Sequence, residues 1–141
     1  MEPIFTVHFS GHPNILATNR MTLEVTKEDF LTLRGDCIMG IMADASSAEL
    51  SGQAKAFICR DGSRLRFDIK VERERFSFFA SGSRSLTLTH PMSMVIRRST
   101  YSCPRTLAVK STAAACDLPR PLVARLASGA QGELAAYEAS P

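Results

Sequence analysis

Tryptophan is absent from this chain of 141 residues, and tyrosine occurs only twice. A stacking platform for nucleobases, which depends on exposed aromatic rings, has few residues to draw on. No apolar run approaches the ~18 residues of a membrane helix, so no membrane span is expected. The opening Met1-Glu2-Pro3-Ile4-Phe5 has an acid at position 2 and no basic segment followed by an apolar one. No secretory signal is read there, and a cytoplasmic location is expected. The cysteines, Cys37, Cys59, Cys103 and Cys116, include no Cys-x-x-Cys pair. That spacing argues against a zinc ribbon or finger, whose ligands come in close pairs. Four reduced thiols, mostly buried as small hydrophobes, are expected instead. Also missing are the phosphate-binding P-loop, the Gly-x-Gly-x-x-Gly fingerprint and His-Glu-x-x-His. The chain shows no low-complexity segment and no internal repeat of useful length.

Acidic residues are unevenly scarce. Between Glu74 and Asp117 there is none, while Arg75, Arg84, Arg97, Arg98, Arg105 and Lys110 lie in that interval. Residues 1–58 carry four basic and seven acidic side chains, net −3; residues 59–110 carry eleven and four, net +7. Such asymmetry suits an anionic partner, or else marks arginines dispersed over a solvated face.

What is present is strand-like. Ile4–Phe9 reads as a first strand ended by Gly11-His12-Pro13-Asn14, whose residues are turn formers. Met21–Val25 alternates, and Cys37–Ala43 is a continuous apolar run expected to be central and covered on both faces. Ser46 followed by Glu49 forms a capping box for a helix over Ala48–Cys59. Leu65, Phe67, Ile69 and Val71 alternate with charged residues, the period of a half-buried strand. Strands are also expected at Arg75–Ser81, Ser85–Thr89, Met92–Arg97, Thr106–Val109 and Glu133–Glu138. A second helix is expected near Pro119–Ser128, with Asp117 as its N-cap. The length fits one domain over residues 1–141, mainly β, a sandwich or barrel-like fold with two helices.

Four ordered segments then combine: Gly11-His12-Pro13-Asn14 with Ala17-Thr18, Leu31–Cys37, Leu86–Pro91, and Cys103–Val109. Together they resemble the chiefly archaeal family known as domain of unknown function 371, over nearly the whole chain. The resemblance implies a compact β-sandwich-like domain and brings no activity with it. Where the family pattern has a histidine after Ala-Thr, this chain has Asn19, which argues against a metal ligand there.

The polar residues support two readings. In the first, Asn14, Arg34, Arg97, Arg98, Ser99 and Arg105 bind a small anion or a phosphate group, including that of a nucleic acid, because guanidiniums beside hydroxyls suit such oxyanions. In the second, His12, His90, Asp36 and Cys103 perform acid–base or covalent chemistry. Basic neighbours lower the Cys103 thiol pKa, and a proline-stiffened histidine supplies the base. Each feature also has a plain structural reading. A histidine can cap its own turn, Arg34 and Asp36 can close their loop, and Cys103 can pack as a small hydrophobe. A third reading is an assembly subunit that pairs strand edges with its own copy. No residue set is assigned to a metal, and the sequence names no cofactor. Gly11–Asn14, Arg34–Cys37, His90–Pro91 and Arg97–Arg105 are expected around one cleft, since loops on a rigid β scaffold present binding groups.

Overall fold

A chain whose apolar residues alternate in short runs folds by stacking sheets. The computed structural model, which describes residues 1–140, has eight strands and two helices. They run β1 (Phe5–Ser10), β2 (Thr22–Thr26), β3 (Ile38–Gly40), α1 (Gly52–Ile58) and β4 (Arg64–Val71), then β5 (Glu74–Ser81), β6 (Ser93–Arg97), β7 (Thr106–Ala108), α2 (Arg120–Ala127) and β8 (Gln131–Ala139). One sheet is ordered β1-β8-β4-β5, the other β3-β2-β6-β7. Leu65, Phe67, Ile69 and Val71 are all fully buried, as their alternation requires. The Phe67 ring stacks on Phe78 at 5.3 Å, and Leu23, Val25, Met94 and Ile96 of the second sheet join the same core. Single bridges, Ser10 to Ile41 and Ser81 to Val109, join the sheet edges without closing a barrel. Among the described residues no helix is long and apolar enough to cross a membrane.

Local chemistry explains where the elements differ from the sequence expectation. The capping box forms: the Ser46 N–H and hydroxyl both bond Glu49 Oε1, at 3.0 and 3.1 Å. It caps only a 3-10 turn, Ser47–Glu49, because Ser51 starts a new cap, accepting from the Ala54 N–H. Asp117 is not the cap of α2; Pro119 is, and Asp117 closes a second 3-10 turn at Ala115–Asp117. Ser85–Thr89 is not a strand. Leu86 and Leu88 insert into the core, and Leu88 adopts φ +51, which no strand tolerates. The apolar run at Cys37–Ala43 yields only three strand residues, at a sheet edge, and Met42 turns left-handed at φ +52.

The absence of an internal repeat is also overturned. Residues 5–71 and 74–139 each trace strand, strand, strand, 3-10 turn, helix, strand. Both sheet orders are palindromic under exchange of the halves. The parallel ladder Glu24–Ile38 and Val25–Gly40 has its twin in Val95–Thr106 and Ile96–Ala108, each with an irregularity at the same step. Left-handed residues are paired too, Ala17 with Leu88 and Met42 with Lys110. The halves interlock through glycine. A Cβ on Gly11 would lie 2.0 Å from the Leu126 carbonyl oxygen, and one on Gly82 2.0 Å from that of Ile58. Each half's first strand thus ends against the other half's helix, at a distance that admits no side chain.

Candidate functional site

The pseudo-twofold axis passes through the middle of the β2–β6 pair, where Glu24 faces Val95. Strand alternation sends Leu23, Val25, Met94 and Ile96 into the core, so Thr22, Glu24, Thr26, Ser93, Val95 and Arg97 point to the far side of the sheet. That side is not simply solvated: Glu24 is 8% exposed, and Thr26 and Ser93 are buried. A buried carboxylate needs partners. Glu24 Oε1 accepts from the Cys37 thiol at 3.6 Å and lies 3.9 Å from Arg105 Nη1. Cys37 and Arg105 are themselves twins, for the Cys37 carbonyl accepts from Glu24 N–H as the Arg105 carbonyl does from Val95 N–H.

One step along β6 sits the second cluster. Arg97 Nε donates to Thr106 Oγ1 at 2.8 Å, its Nη2 reaches Cys103 Sγ at 3.4 Å, and its guanidinium lies over the Tyr101 ring at 5.0 Å. The Cys103 N–H donates to Thr106 Oγ1 at 3.1 Å, and that hydroxyl approaches Sγ at 3.6 Å. Arg97 therefore has hydrogen-bond partners and an aromatic platform but, among the described residues, no carboxylate. The two thiols differ accordingly. Burial, with Glu24 and Asp36 adding negative charge, pushes Cys37 up to about 11. Partial burial also opposes ionisation at Cys103, but Thr106, the Arg105 N–H and Arg97 outweigh it and lower that thiol below its ordinary value.

The four segments singled out in the sequence meet in two symmetry-related pairs. The Asp36 carbonyl accepts from the Thr18 and Asn19 N–H groups, and the Pro104 carbonyl from those of Thr89 and His90. Glu24 links the pairs through Cys37 and Arg105. Asp36 joins by its side chain: Asn19 Nδ2 donates to it at 3.1 Å, and Thr22, bonded to Asn19, stands opposite Arg97. The histidines are turned elsewhere. His12 Nδ1 accepts from the Asn14 N–H, and His90 Nδ1 from those of Met92 and Ser93, so each ring caps its own turn. Neither hydrogen-bonds Cys103. Asn19 Oδ1 caps Met21 and Thr22, in the position His90 occupies in the other half.

Of the remaining candidates, Asn14 Nδ2 donates to the Leu31 carbonyl, and Ser99 Oγ accepts from the Tyr101 N–H. Arg98 pairs with Asp117, so its charge is answered within the chain. Arg34 is exposed and does not pair with Asp36. Sequence reasoning missed Glu24, Thr106 and Tyr101. The one available signal was a lone acid in the middle of an otherwise uncharged strand, Met21–Val25. Among the described residues no group of three or more His, Cys, Asp or Glu side chains is placed to hold a metal ion.

Fold and site together define a mainly β domain built twice over, with a polar, asymmetric sheet face at its axis. The chain belongs to the family described as Domain of unknown function (DUF371), which matches residues 7–137. An uncharacterised protein of the archaeon Methanocaldococcus jannaschii is 41% identical over 125 residues, covering 89% of this chain and 92% of that protein.

Proposed function

We propose that this domain is a cytoplasmic binding module for a small anion, held on the far side of the β2–β6 pair by Arg97 with Arg105. The supporting observation is Arg97 itself. Its guanidinium is half-buried and fixed by Thr106, the Cys103 sulfur and the Tyr101 ring, yet among the described residues no carboxylate neutralises it. A charge held out of water without a counter-ion is costly, and a bound oxyanion relieves that cost. Arg105, next in the chain to the Thr106 that holds Arg97, has among the described residues only a long contact to Glu24. The four unpaired thiols accord with a reducing compartment. Calorimetric titration with inorganic pyrophosphate tests the reading. Binding should weaken as salt rises, and Arg97→Gln should reduce affinity about tenfold or more, the worth of a charge-assisted hydrogen bond. Unchanged affinity in Arg97→Gln would overturn it.

A second reading rests on Cys103. A thiolate favoured by Arg97, Thr106 and a backbone N–H is a competent nucleophile without a histidine base. In that case Arg97 serves the thiolate, and an electrophilic acyl substrate would label Cys103 in preference to the other three cysteines.

A further inference from the structure

The duplication supplies an internal control for a second place on the molecule. A cleft of about 410 Å³ opens where β5 ends, with Asp61, Ser81, Ser83, Ser85, Thr100 and Lys110 as its polar lining and Gly62, Gly82 and Val109 completing its walls. Its volume lies within the range of small-molecule sites, roughly 300–1,000 Å³. Its walls are fixed by backbone bonds. Ser81 and Val109 exchange two at 2.8 Å each, Lys110 N–H donates to Ser99 at 3.0 Å, and Ser83 N–H donates to Ile58 at 3.0 Å. Gly82 lies against the Ile58 carbonyl too closely for any side chain, so the floor cannot rise.

The polar content of this cleft is one-sided. Asp61 is the carboxylate among its lining residues, and Arg84 occupies both its oxygens, through the backbone N–H at 2.9 Å and Nε at 3.3 Å. Lys110 is exposed, and no side-chain partner answers its charge among the described residues. Ser83 and Ser85 hydroxyls sit 2.8 Å apart, and Ser81 and Thr100 add two more. Comparison with the other half shows that the fold does not require the ammonium at this place. The twin of Lys110 is Met42, at the same φ of +52, and the twins of Ser83 and Ser85 are His12 and Asn14; Ser83 Oγ accepts from the Ser85 N–H as His12 Nδ1 does from that of Asn14, but only the serine hydroxyl keeps a proton to donate outward beside a cation. The backbone, the capping bond and the strand-end serine are shared; the ammonium and the Ser83–Ser85 hydroxyl pair are not.

We infer that this cleft is a second binding site, separate from the Arg97 face, and that it takes the phosphate group of a small phosphomonoester such as a sugar phosphate. Lys110 supplies the charge, and the Ser83, Ser85 and Thr100 hydroxyls complete the oxyanion's shell. The room beyond a single phosphate accommodates the sugar.

Lys110→Met is a conservative probe, because methionine already occupies the equivalent left-handed position. The native protein and Lys110→Met, Ser83→Ala/Ser85→Ala and Arg97→Gln variants are titrated with ribose 5-phosphate, ribose and inorganic phosphate. Binding is followed by calorimetry, and folding by circular dichroism. The native chain should bind ribose 5-phosphate and not ribose. Lys110→Met should weaken it about tenfold or more with an unchanged spectrum, and the double variant severalfold. Arg97→Gln should leave this titration untouched while weakening pyrophosphate binding about tenfold or more, so either site can fail alone. Equal affinity in native protein and Lys110→Met, or no binding of ribose 5-phosphate by the native chain, would overturn the inference.

Discussion

Residues 5–71 and 74–139 share a backbone plan and part company in chemistry. In the first half the sheet face at the axis offers Glu24 and a Cys37 thiol pushed up to about 11; in the second the same places hold Val95 and Arg105, with Arg97 and a lowered Cys103 beside them. The left-handed residue after the third strand is Met42 in one half and Lys110 in the other. The residue that caps the second strand is Asn19 in one and His90 in the other. Features common to both halves, such as Ser-Gly strand ends, left-handed turns and capped strand starts, are what the fold needs. Features found in one half only are where function is to be sought. That rule removes His90 from the catalytic candidates, since its twin does the same structural task with an amide, and it promotes Arg97, Arg105 and Lys110.

The largest effect should come from the shared features. Gly11→Ala and Gly82→Ala each force a Cβ onto a helix carbonyl, and each should cost about 3 kcal/mol or more, at the upper end of overpacking effects. Chemical denaturation that finds one substitution severe and the other silent would break the equivalence of the halves. Next, Glu24→Val gives the first half the residue of the second. Replacing a buried, loosely paired carboxylate by an apolar side chain should change stability by no more than about 1 kcal/mol. Burial will still hold the Cys37 thiol high, but loss of the Glu24 charge should bring its pKa down from about 11, read by pH-dependent alkylation. If Glu24→Val unfolds the protein, Glu24 is a structural requirement and the asymmetry at the axis has been misjudged.

The thiols themselves sharpen the contrast. The thiolate is the reacting form, so a lowered pKa gives reactivity at lower pH. Cys103 should alkylate at a pH where Cys37 remains inert, and Arg97→Gln should move the Cys103 profile upward. The smallest effect concerns Arg98 and Asp117. The Ala114 N–H, against the opposing cost of burial and with Arg98 adding to it, holds Asp117 below the usual carboxylate range. A depressed carboxyl stabilises the fold fully above the ordinary range and loses that contribution as pH falls through the lowered value. Because the side chain is 39% exposed, Asp117→Asn should cost less than about 1 kcal/mol at neutral pH and nothing in strong acid.

Much of the scaffold was legible. The strand at Leu65–Val71 announced itself because one face is dry and the other wet, and the Ser46–Glu49 box formed as its residue types demand. The duplication was hidden for two physical reasons. Core packing preserves apolar character rather than identity, so the halves share only scattered identities, among them Phe5/Phe76, Ser10-Gly11/Ser81-Gly82, Thr18/Thr89, Met21/Met92 and Leu50/Leu118. The second crossover, residues 98–105, is also three residues shorter than the first, 27–37, and the slip destroys any fixed period. Glu24 was illegible because alternation says which side of a sheet a residue takes, not whether that side is covered. Arg98 and Arg97 were equivalent in sequence. Only coordinates show that Asp117 reaches the one and leaves the other unanswered.

The central claim is that Arg97 is held for an anion from outside the chain. The measurement that meets it most directly is the pH profile of Cys103 alkylation with and without saturating inorganic pyrophosphate, in the native protein and in Lys110→Met. An anion at Arg97 competes with the Cys103 thiolate for the same guanidinium, so pyrophosphate should shift the profile to higher pH in both proteins. A profile that does not move, with pyrophosphate shown to be bound, would mean that the anion sits elsewhere and that Arg97 serves only its own neighbours.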